Sequence, residues 1–329
     1  MKVAVIILNW NGKALLEQFL PSVVRNTPEA DIYVADNAST DDSVSFVQQN
    51  FPQVKIIQNK VNGGFAKGYN DALQELDEDI FVLLNSDVEV TENWLPPLVI
   101  QFKDPAVAAA QPKIKDFRKK EFFEYAGAAG GFIDALGYPY CRGRIFDVLE
   151  QDLGQYDDTI DIFWATGACM AIRRPDFFEA GGFDEDFFAH QEEIDLCWRL
   201  FNLGKKVKAV GTSEVYHLGG GTLNSMHPKK TFYNFRNSLF TLIKNAPAKG
   251  LFWKIISRMI LDGVAGIRLL LLLQPYHTLA ILKAHFSFYI YLQKMWKKRT
   301  NPIKNIRYYN IKSIVWSFYI HKITNYKKL

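Results

Sequence analysis

Residues 80–90, IFVLLNSDVEV, decide the fold. Residues 80–84 are an unbroken run of apolar strand formers that stops at Asn85-Ser86-Asp87. A strand that is apolar on both faces belongs inside a largely parallel sheet covered by helices on either side. In such sheets ligands bind beyond the carboxyl ends of the strands. A carboxylate at that edge is placed to hold a divalent cation and, through it, a diphosphate. Taken alone, Asn-Ser-Asp is adequately explained as turn chemistry closing a strand. The segments on either side of it change the balance.

Upstream, residues 3–8 read as a first strand ending in Asn9-Trp10-Asn11-Gly12, with helical spacing over 13–25. A second strand over 32–35 ends at Asp36-Asn37-Ala38-Ser39-Thr40-Asp41, and a helix over 42–50 follows. A third strand spans 54–58, and Asn62-Gly63-Gly64 opens a helix over 65–76. This alternation predicts right-handed βαβ units and a doubly wound α/β sheet. Downstream the pattern loosens. Residues 163–173 (FWATGACMAIR) predict a buried strand, 185–203 a helix, 206–210 a strand, 214–222 a strand running into a loop, and 229–245 a helix. The expected organisation is one domain over 1–245 in two halves, 1–107 and 108–245. A helical segment over 246–329 follows it.

The chain has 329 residues, of which 48% are hydrophobic and 22% charged, enough to bury a sizeable core. Its net charge of +4 conceals an asymmetry: residues 263–329 hold twelve Lys or Arg and no Asp or Glu. An acidic body with a basic tail points to an anionic surface as the tail's partner. Cys141, Cys169 and Cys197 are too few and too scattered for a disulfide framework or a zinc site, which favours a reduced, cytoplasmic setting. The N-terminal apolar run lacks a small-residue cleavage site and reads as a strand.

Several polar groups converge on the predicted sheet edge. Leu8 and Asn9 close the first strand. Asp36 is suited to accept the imide N–H of a uracil or a ribose hydroxyl. Asn62, Gly63 and Gly64 offer backbone amides to a phosphate at a helix start, with Lys67 one turn on. The absence of G-x-G-x-x-G after the first strand excludes a dinucleotide-binding dehydrogenase. The absence of a Gly-rich, Arg-containing loop there argues against a nucleotidyltransferase. Further on, helical spacing puts Glu193 on the stripe of Leu196, Cys197 and Leu200, turned toward the interior or a cleft where desolvation suits it to general-base work. Glu192 falls on the stripe of Asp195 and Arg199, a pair expected to be a solvated i,i+4 contact. His217 ends a β-run beside Gly219-Gly220-Gly221-Thr222, a setting in which it could complete a metal–diphosphate site. Arg236 is a candidate for neutralising a departing diphosphate.

In order, NWNG, DNASTD, NGGFAKGYN, LLNSD, TGACMAIRR, GGFDEDFFAHQEEIDLCWRL, YHLGGGT and YNFRN closely resemble the family 2 glycosyltransferases, and within them the bacterial rhamnosyltransferase-like enzymes. The resemblance covers about residues 1–245. It implies a GT-A fold, a nucleotide-diphospho-sugar donor (UDP- or dTDP-linked by the Asp36 argument) and a divalent cation, Mg²⁺ or Mn²⁺. By the family pattern, Asp36 is the base-recognising carboxylate, Asp87 the metal ligand of the DxD position and His217 the second metal-site residue. Asn85 and Ser86 occupy the rest of that motif, with Asn85 replacing its first Asp. The catalytic base falls at Glu193 or its neighbour Glu192. Trp164, Thr166 and Gly167 are expected on the acceptor side. No Gln-x-x-Arg-Trp signature of processive synthases occurs, which favours a single sugar addition to a glycan or lipid-linked acceptor in surface polysaccharide synthesis. A catalytically silent scaffold of the same fold is the alternative.

In the tail, residues 251–273 are amphipathic and apolar, and the longest uncharged stretch is broken by Pro275. Such helices with a cationic rim lie in the interface of anionic membranes. The expectation is a peripheral protein at the inner face of the cytoplasmic membrane, with packing on the catalytic domain as the rival account. Nucleic acid is not an expected partner, because the aliphatic content exceeds what base stacking needs.

Overall fold

Side-chain alternation along the first strand sorts residues to two sides of one sheet. Val3, Val5 and Ile7 enter one core, and Ala4 and Ile6 enter the other. A computed structural model describes residues 1–219, 227–300 and 307–329. Strand β1 (Val3–Asn9), helix α1 (Lys13–Asn26), β2 (Asp31–Asp36), α2 (Ser43–Asn50), β3 (Lys55–Gln58), α3 (Gly64–Leu73) and β4 (Ile80–Asn85) follow in the order expected. Helix α1 buries Leu16, Phe19, Leu20 and Val23, one stripe at helical spacing. Each such side chain contributes about 1.5–3 kcal/mol on leaving water.

Then come β5 (Val88–Val90), α4 (Pro96–Val99), β6 (Val107–Asp116), a small antiparallel meander of β7 (Gly131–Ile133), β8 (Pro139–Cys141), β9 (Arg144–Ile145) and β10 (Val148–Leu149), then β11 (Thr159–Ile162) and β12 (Cys169–Arg173). Helices α5 (Arg174–Glu179) and α6 (Glu192–Asn202), strand β13 (Lys206–His217) and helices α7 (Pro228–Asn245), α8 (Leu251–Leu271), α9 (Pro275–Lys297) and α10 (Ile314–Tyr319) complete the chain. The main sheet runs β11-β13-β6-β12-β4-β1-β2-β3, with β5 paired to β13. Strands β4, β1, β2 and β3 are mutually parallel, and β12 runs against both β4 and β6, so the sheet is mixed.

Four local expectations need correction. Residues 163–173 are not one strand. Residues 165–168 leave the sheet because the Thr166 N–H donates to Gln111 Oε1, and Thr166 Oγ1 accepts from the Ala168 N–H. Residues 185–203 are not one helix either. A single 3-10 turn over Glu185–Phe187 is followed by left-handed Phe188, His190 and Gln191 before α6 begins. The predicted strands over 206–210 and 214–222 are one strand with a bulge between Val210 and Glu214. Gly220, Gly221 and Thr222 lie outside the described residues.

The fourth correction concerns Asp195 and Arg199, which are buried, not solvated. Asp195 accepts from Arg199 Nε, Lys244 Nζ and Asn245 Nδ2. Lys244 also donates to Asp184 (2.6 Å), which Lys298 of the following segment joins from the other side. Helical spacing identified the pair correctly but could not reveal that α7 covers it.

The tail is folded back onto the body. Tyr326 stacks on Phe132 and Tyr140 of the small meander, and the Ile314 N–H donates to buried Asp134. A Lys244→Met substitution removes the cation shared by Asp184 and Asp195. We expect a loss of about 3 kcal/mol, read as a lower urea midpoint in equilibrium unfolding.

Candidate active site

Strand register brings the polar ends together. Asn9 pairs with Asp36 across β1 and β2, and Leu8 with Asn85 across β1 and β4. Asn9 Nδ2 donates to Asp36 Oδ1 (3.2 Å) and to Ser39 Oγ, while the Ser39 N–H donates to Asp36 Oδ2 (3.0 Å). Both oxygens of this buried carboxylate are therefore oriented by the protein. Gly12 is needed at the end of this turn, since a Cβ there would lie 2.5 Å from Asn9 Oδ1 and near Ser86 Oγ.

The start of α3 is tied to the same edge by amides. Asn37 Nδ2 donates to Asn62 Oδ1 and to the Gly64 carbonyl, and Asn59 Nδ2 donates to Asn37 Oδ1. Asn62 Oδ1 also accepts the Gly64 N–H, so that amide caps the helix internally instead of being offered to a ligand. Gly63 packs under the Lys67 side chain, whose ammonium pairs with Asp71 one turn along the helix. The sequence argument had not named Asn59, although its place at the end of β3 on this edge was a usable signal.

Asp87 and His217 meet because β5 pairs with β13, which places Val88 opposite His217. Asp87 Oδ1 lies 3.1 Å from His217 Nε2, and His217 Nδ1 lies 3.2 Å from Glu124 Oε2. All three side chains are buried. Burial opposes charge on Asp87, yet its carboxyl stays below its ordinary range because His217 and the Gly219 amide hold the anion. Burial also opposes charge on the imidazole, but the two flanking carboxylates push His217 up to about 10.

The donor set suits a divalent cation that displaces the Nε2 proton of His217, since only a neutral imidazole can ligate. Two adjacent ligands of an octahedral ion at ~2.1 Å stand about 3 Å apart, close to the Asp87–His217 separation. Glu124 is the carboxylate behind the imidazole that orients such a ligand. Among the described residues no group of three or more His, Cys, Asp or Glu is arranged to hold a metal unaided. A cation there would draw its other ligands from phosphate and water. Glu124 lay in the loosely patterned stretch after residue 107, where no periodicity marked it.

Glu192 and Glu193 open helix α6. Glu192 is buried. Glu193 is partly exposed at the residue level, but its Oε2, like that of Glu192, is closed off with no hydrogen-bond partner among the described residues. Desolvation pushes Glu193 up to about 7. Desolvation, then the charge of Glu193, raises Glu192 well above its ordinary range.

Contacts link this pair to the strand ends. Cys197, one turn along α6 from Glu193, accepts from the Ala165 N–H through Sγ, and the Asn85 N–H donates to the Ala168 carbonyl. Residues 165–168 thus lie between α6 and the end of β4. Gly167 packs under Phe65, and Thr166 beside Gly127. Trp164 faces inward, its indole N–H donating to the Phe132 carbonyl. At Gly64, where φ is +75°, a Cβ would lie 3.0 Å from the Phe188 carbonyl, so α3 and the turn before α6 touch.

Arg236 is committed elsewhere. Its guanidinium donates to the carbonyls of Asp186 and Phe187 and to Asn237 Oδ1, and Asn237 Nδ2 holds Phe187, Ala189 and His190. These two residues shape the left-handed turn leading into Glu192. The cation nearer the metal-type cluster is Lys230, which lines a cavity of about 280 Å³ with Tyr125, Thr231 and Asn234. Lys230 lies next in the field of Glu124, and burial lowers its pKa. Gln191, immediately before Glu192, reaches the Asn234 carbonyl on the same helix.

The family model for glycosyl transferase family 2 matches residues 4–178. The chain belongs to that family. It is 27% identical over 237 residues to the N-acetylglucosaminyl-diphospho-decaprenol L-rhamnosyltransferase of Mycobacterium tuberculosis, covering 65% of this chain and 75% of that one. It is 25% identical to the O-antigen biosynthesis protein RfbC of Myxococcus xanthus over 66% of this chain but only 17% of that protein. Among solved structures, GalNAc-T7 with UDP, GalNAc and Mn²⁺ superposes with a TM-score of 0.61 at 17% identity, over 90% of this chain and 58% of that one. The mannosyltransferase PcManGT of Pyrobaculum calidifontis, with GDP-Man and Mn²⁺, gives 0.54 at 16% identity, over 88% and 87%. The fold is GT-A, and the protein is a glycosyltransferase.

The raised Glu193 carboxyl has a stability consequence. Its folded value of about 7 lies above the ordinary 4.5, so the native state keeps a proton that the unfolded chain has lost. Stability therefore falls as pH rises through that window, and the cost is complete above it. A Glu193→Gln protein escapes this cost. We expect it to be about 2 kcal/mol more stable than the parent at pH 8 and equal to it at pH 4, measured by urea unfolding at the two pH values.

Proposed function

We propose that this enzyme is an inverting, metal-dependent transferase that moves a sugar from a nucleotide-diphosphate donor to a hydroxyl of a lipid-linked glycan. The observation that carries the reading is the pair of carboxylates at the head of α6, each with one closed-off oxygen lacking a partner among the described residues, packed through residues 165–168 against the strand end bearing Asn85. A carboxyl poised near neutrality in a cleft is what general-base catalysis requires.

In this reading Asp36, oriented by Asn9 and Ser39, accepts the imide N–H of a uracil or thymine base. Asp87 and His217 hold Mg²⁺ or Mn²⁺, as the Mn²⁺ in two neighbouring structures supports. When bound, that cation neutralises charge on the diphosphate. Lys230 adds positive charge from the cavity wall, the role first expected of Arg236. Glu193 takes the proton of the acceptor hydroxyl. The acceptor oxygen forms its bond to the anomeric carbon from the face opposite the diphosphate. The anomeric carbon–oxygen bond breaks, and its electron pair leaves with the nucleoside diphosphate. Burial and the neighbouring Glu193 charge both disfavour the ionised form of Glu192, which opposes two adjacent anions in one site.

A lipid-linked acceptor is supported by the named activity of the mycobacterial relative and by the apolar, basic tail. An acceptor of that kind would bring the protein to the cytoplasmic face of a membrane. Donor hydrolysis and transfer should rise with pH through about 7 in the parent. Glu193→Gln should lower kcat by about 10²–10⁴-fold with nucleotide binding retained. Asp87→Ala should abolish the Mn²⁺-dependent part of the thermal shift given by a nucleoside diphosphate. Full transfer by the Glu193 variant, or an unaltered metal response in the Asp87 variant, would refute the corresponding assignment.

A further inference from the structure

Helix α8 is built inside out for a helix at a water-exposed surface. Its inward stripe carries Arg258 and Asp262, 3% and 0% exposed, whose side chains pair with each other and with Ser238, Tyr138 and His285. Its outward stripe of Trp253, Ile260, Val264, Ile267 and Leu271 recurs at helical spacing and lies open, with Leu271 78% exposed. The charges are satisfied inside and the apolar groups are left outside.

Helix α9, whose inward face is apolar, also leaves large apolar side chains outside. Ala280, Ile281, Ala284 and Phe288 face the body, while Leu279, Leu282, Phe286 and Ile290 are exposed. The two helices form a locked hairpin, since Thr278 Oγ1 donates to the Gly266 carbonyl and His285 reaches Asp262. Their outer stripes meet at the turn between them, where Leu273 is 88% exposed. Exposed apolar surface on this scale marks an interaction site.

Three observations select its occupant. The hairpin carries exposed Arg268, Lys283 and Lys297, and no acidic residue follows Asp262 in the chain. Such a face repels a second copy of itself and complements an anionic one. Exposed Trp253, Tyr276, Tyr289 and Trp296 are side chains that settle at the headgroup level of a bilayer. Finally, no described helix is long and apolar enough to cross a membrane, so the hairpin would lie on it.

We propose that the outer faces of α8 and α9, with the leucine turn inserted deepest, form a docking surface for an anionic phospholipid bilayer. This goes beyond the transfer chemistry and stands without it. The docked face also adjoins the catalytic side. A groove of about 260 Å³ between α7 and α9 is flanked by Lys229, Phe232, Tyr276 and Lys283, and Tyr233, next along α7 from Phe232, stacks on Phe188 in the turn before Glu192. At its other end α9 holds that turn through Lys294 and Asp186. A bilayer under the hairpin would thus bear on the element that positions the catalytic turn.

The test is co-flotation of the full chain with phosphatidylcholine vesicles, with and without phosphatidylglycerol, beside sedimentation velocity in lipid-free buffer. The expected result is a monomer that floats with the anionic vesicles and is released by salt. The Leu271→Glu, Leu273→Glu double variant should lose at least about tenfold in vesicle partitioning with an unchanged melting temperature, since both side chains are exposed in the folded chain. Equal binding to neutral vesicles, or no binding to either, would overturn the proposal. So would a lipid-free dimer that the double variant dissociates, since that result assigns the face to a second copy.

Discussion

One ammonium, that of Lys244, lies between the carboxylates of Asp184 and Asp195 in a site nearly closed to water. Asp184 belongs to the turn before α6, Asp195 to that helix and Lys244 to α7, and Lys298 reaches Asp184 from the end of α9. Burial raises the cost of each charge, yet Asp184 stays far below the ordinary carboxylate range because Lys244 and Lys298 share it. Isolated buried charges are expensive, whereas paired ones impose a geometry that apolar packing does not. The cluster fixes where α6 begins. It therefore fixes where Glu192 and Glu193 can be.

The two carboxylate systems differ in how completely they are satisfied. Asp184 and Asp195 have a donor for each charge. Glu192 and Glu193 sit in comparable burial with one oxygen each left without a partner. A fold that can satisfy Asp184 and Asp195 on either side of the pair has the means to satisfy two more, so the unsatisfied pair reads as a reserve of basicity, held at a cost in stability. The left-handed backbone at Phe188, His190 and Gln191 belongs to the same local compromise. Arg236 and Asn237 hold that backbone in place through its carbonyls.

Legibility followed the range of the interaction involved. The first four strands could be read because each is a short apolar run ending in turn residues, and Asn9, Asp36 and Asn85 came with them as strand ends. His217 was legible for the same reason. Glu124 was not, because it approaches His217 from an irregular segment whose path depends on the meander beneath it. The carbonyl contacts of Arg236 were not legible, because helical position predicts which face a side chain takes but not which carbonyls the neighbouring chain will present. The same limit made Asp195 and Arg199 look solvated. Their i,i+4 spacing was correct, but the covering helix lies some fifty residues further along the chain.

Sequence alone determined the βαβ order, the polar strand ends, the acidic head of α6 and the split between an acidic body and a basic tail. Each of these is a local property of composition or period. Tertiary structure alone decided that Glu124 backs His217, that Lys230 lines a cavity with Tyr125, and that α8 turns its charges inward and its leucines out. Those outcomes depend on which surfaces meet. They are set by the competition between desolvation and pairing across segments distant in the chain, and no window of sequence contains that competition.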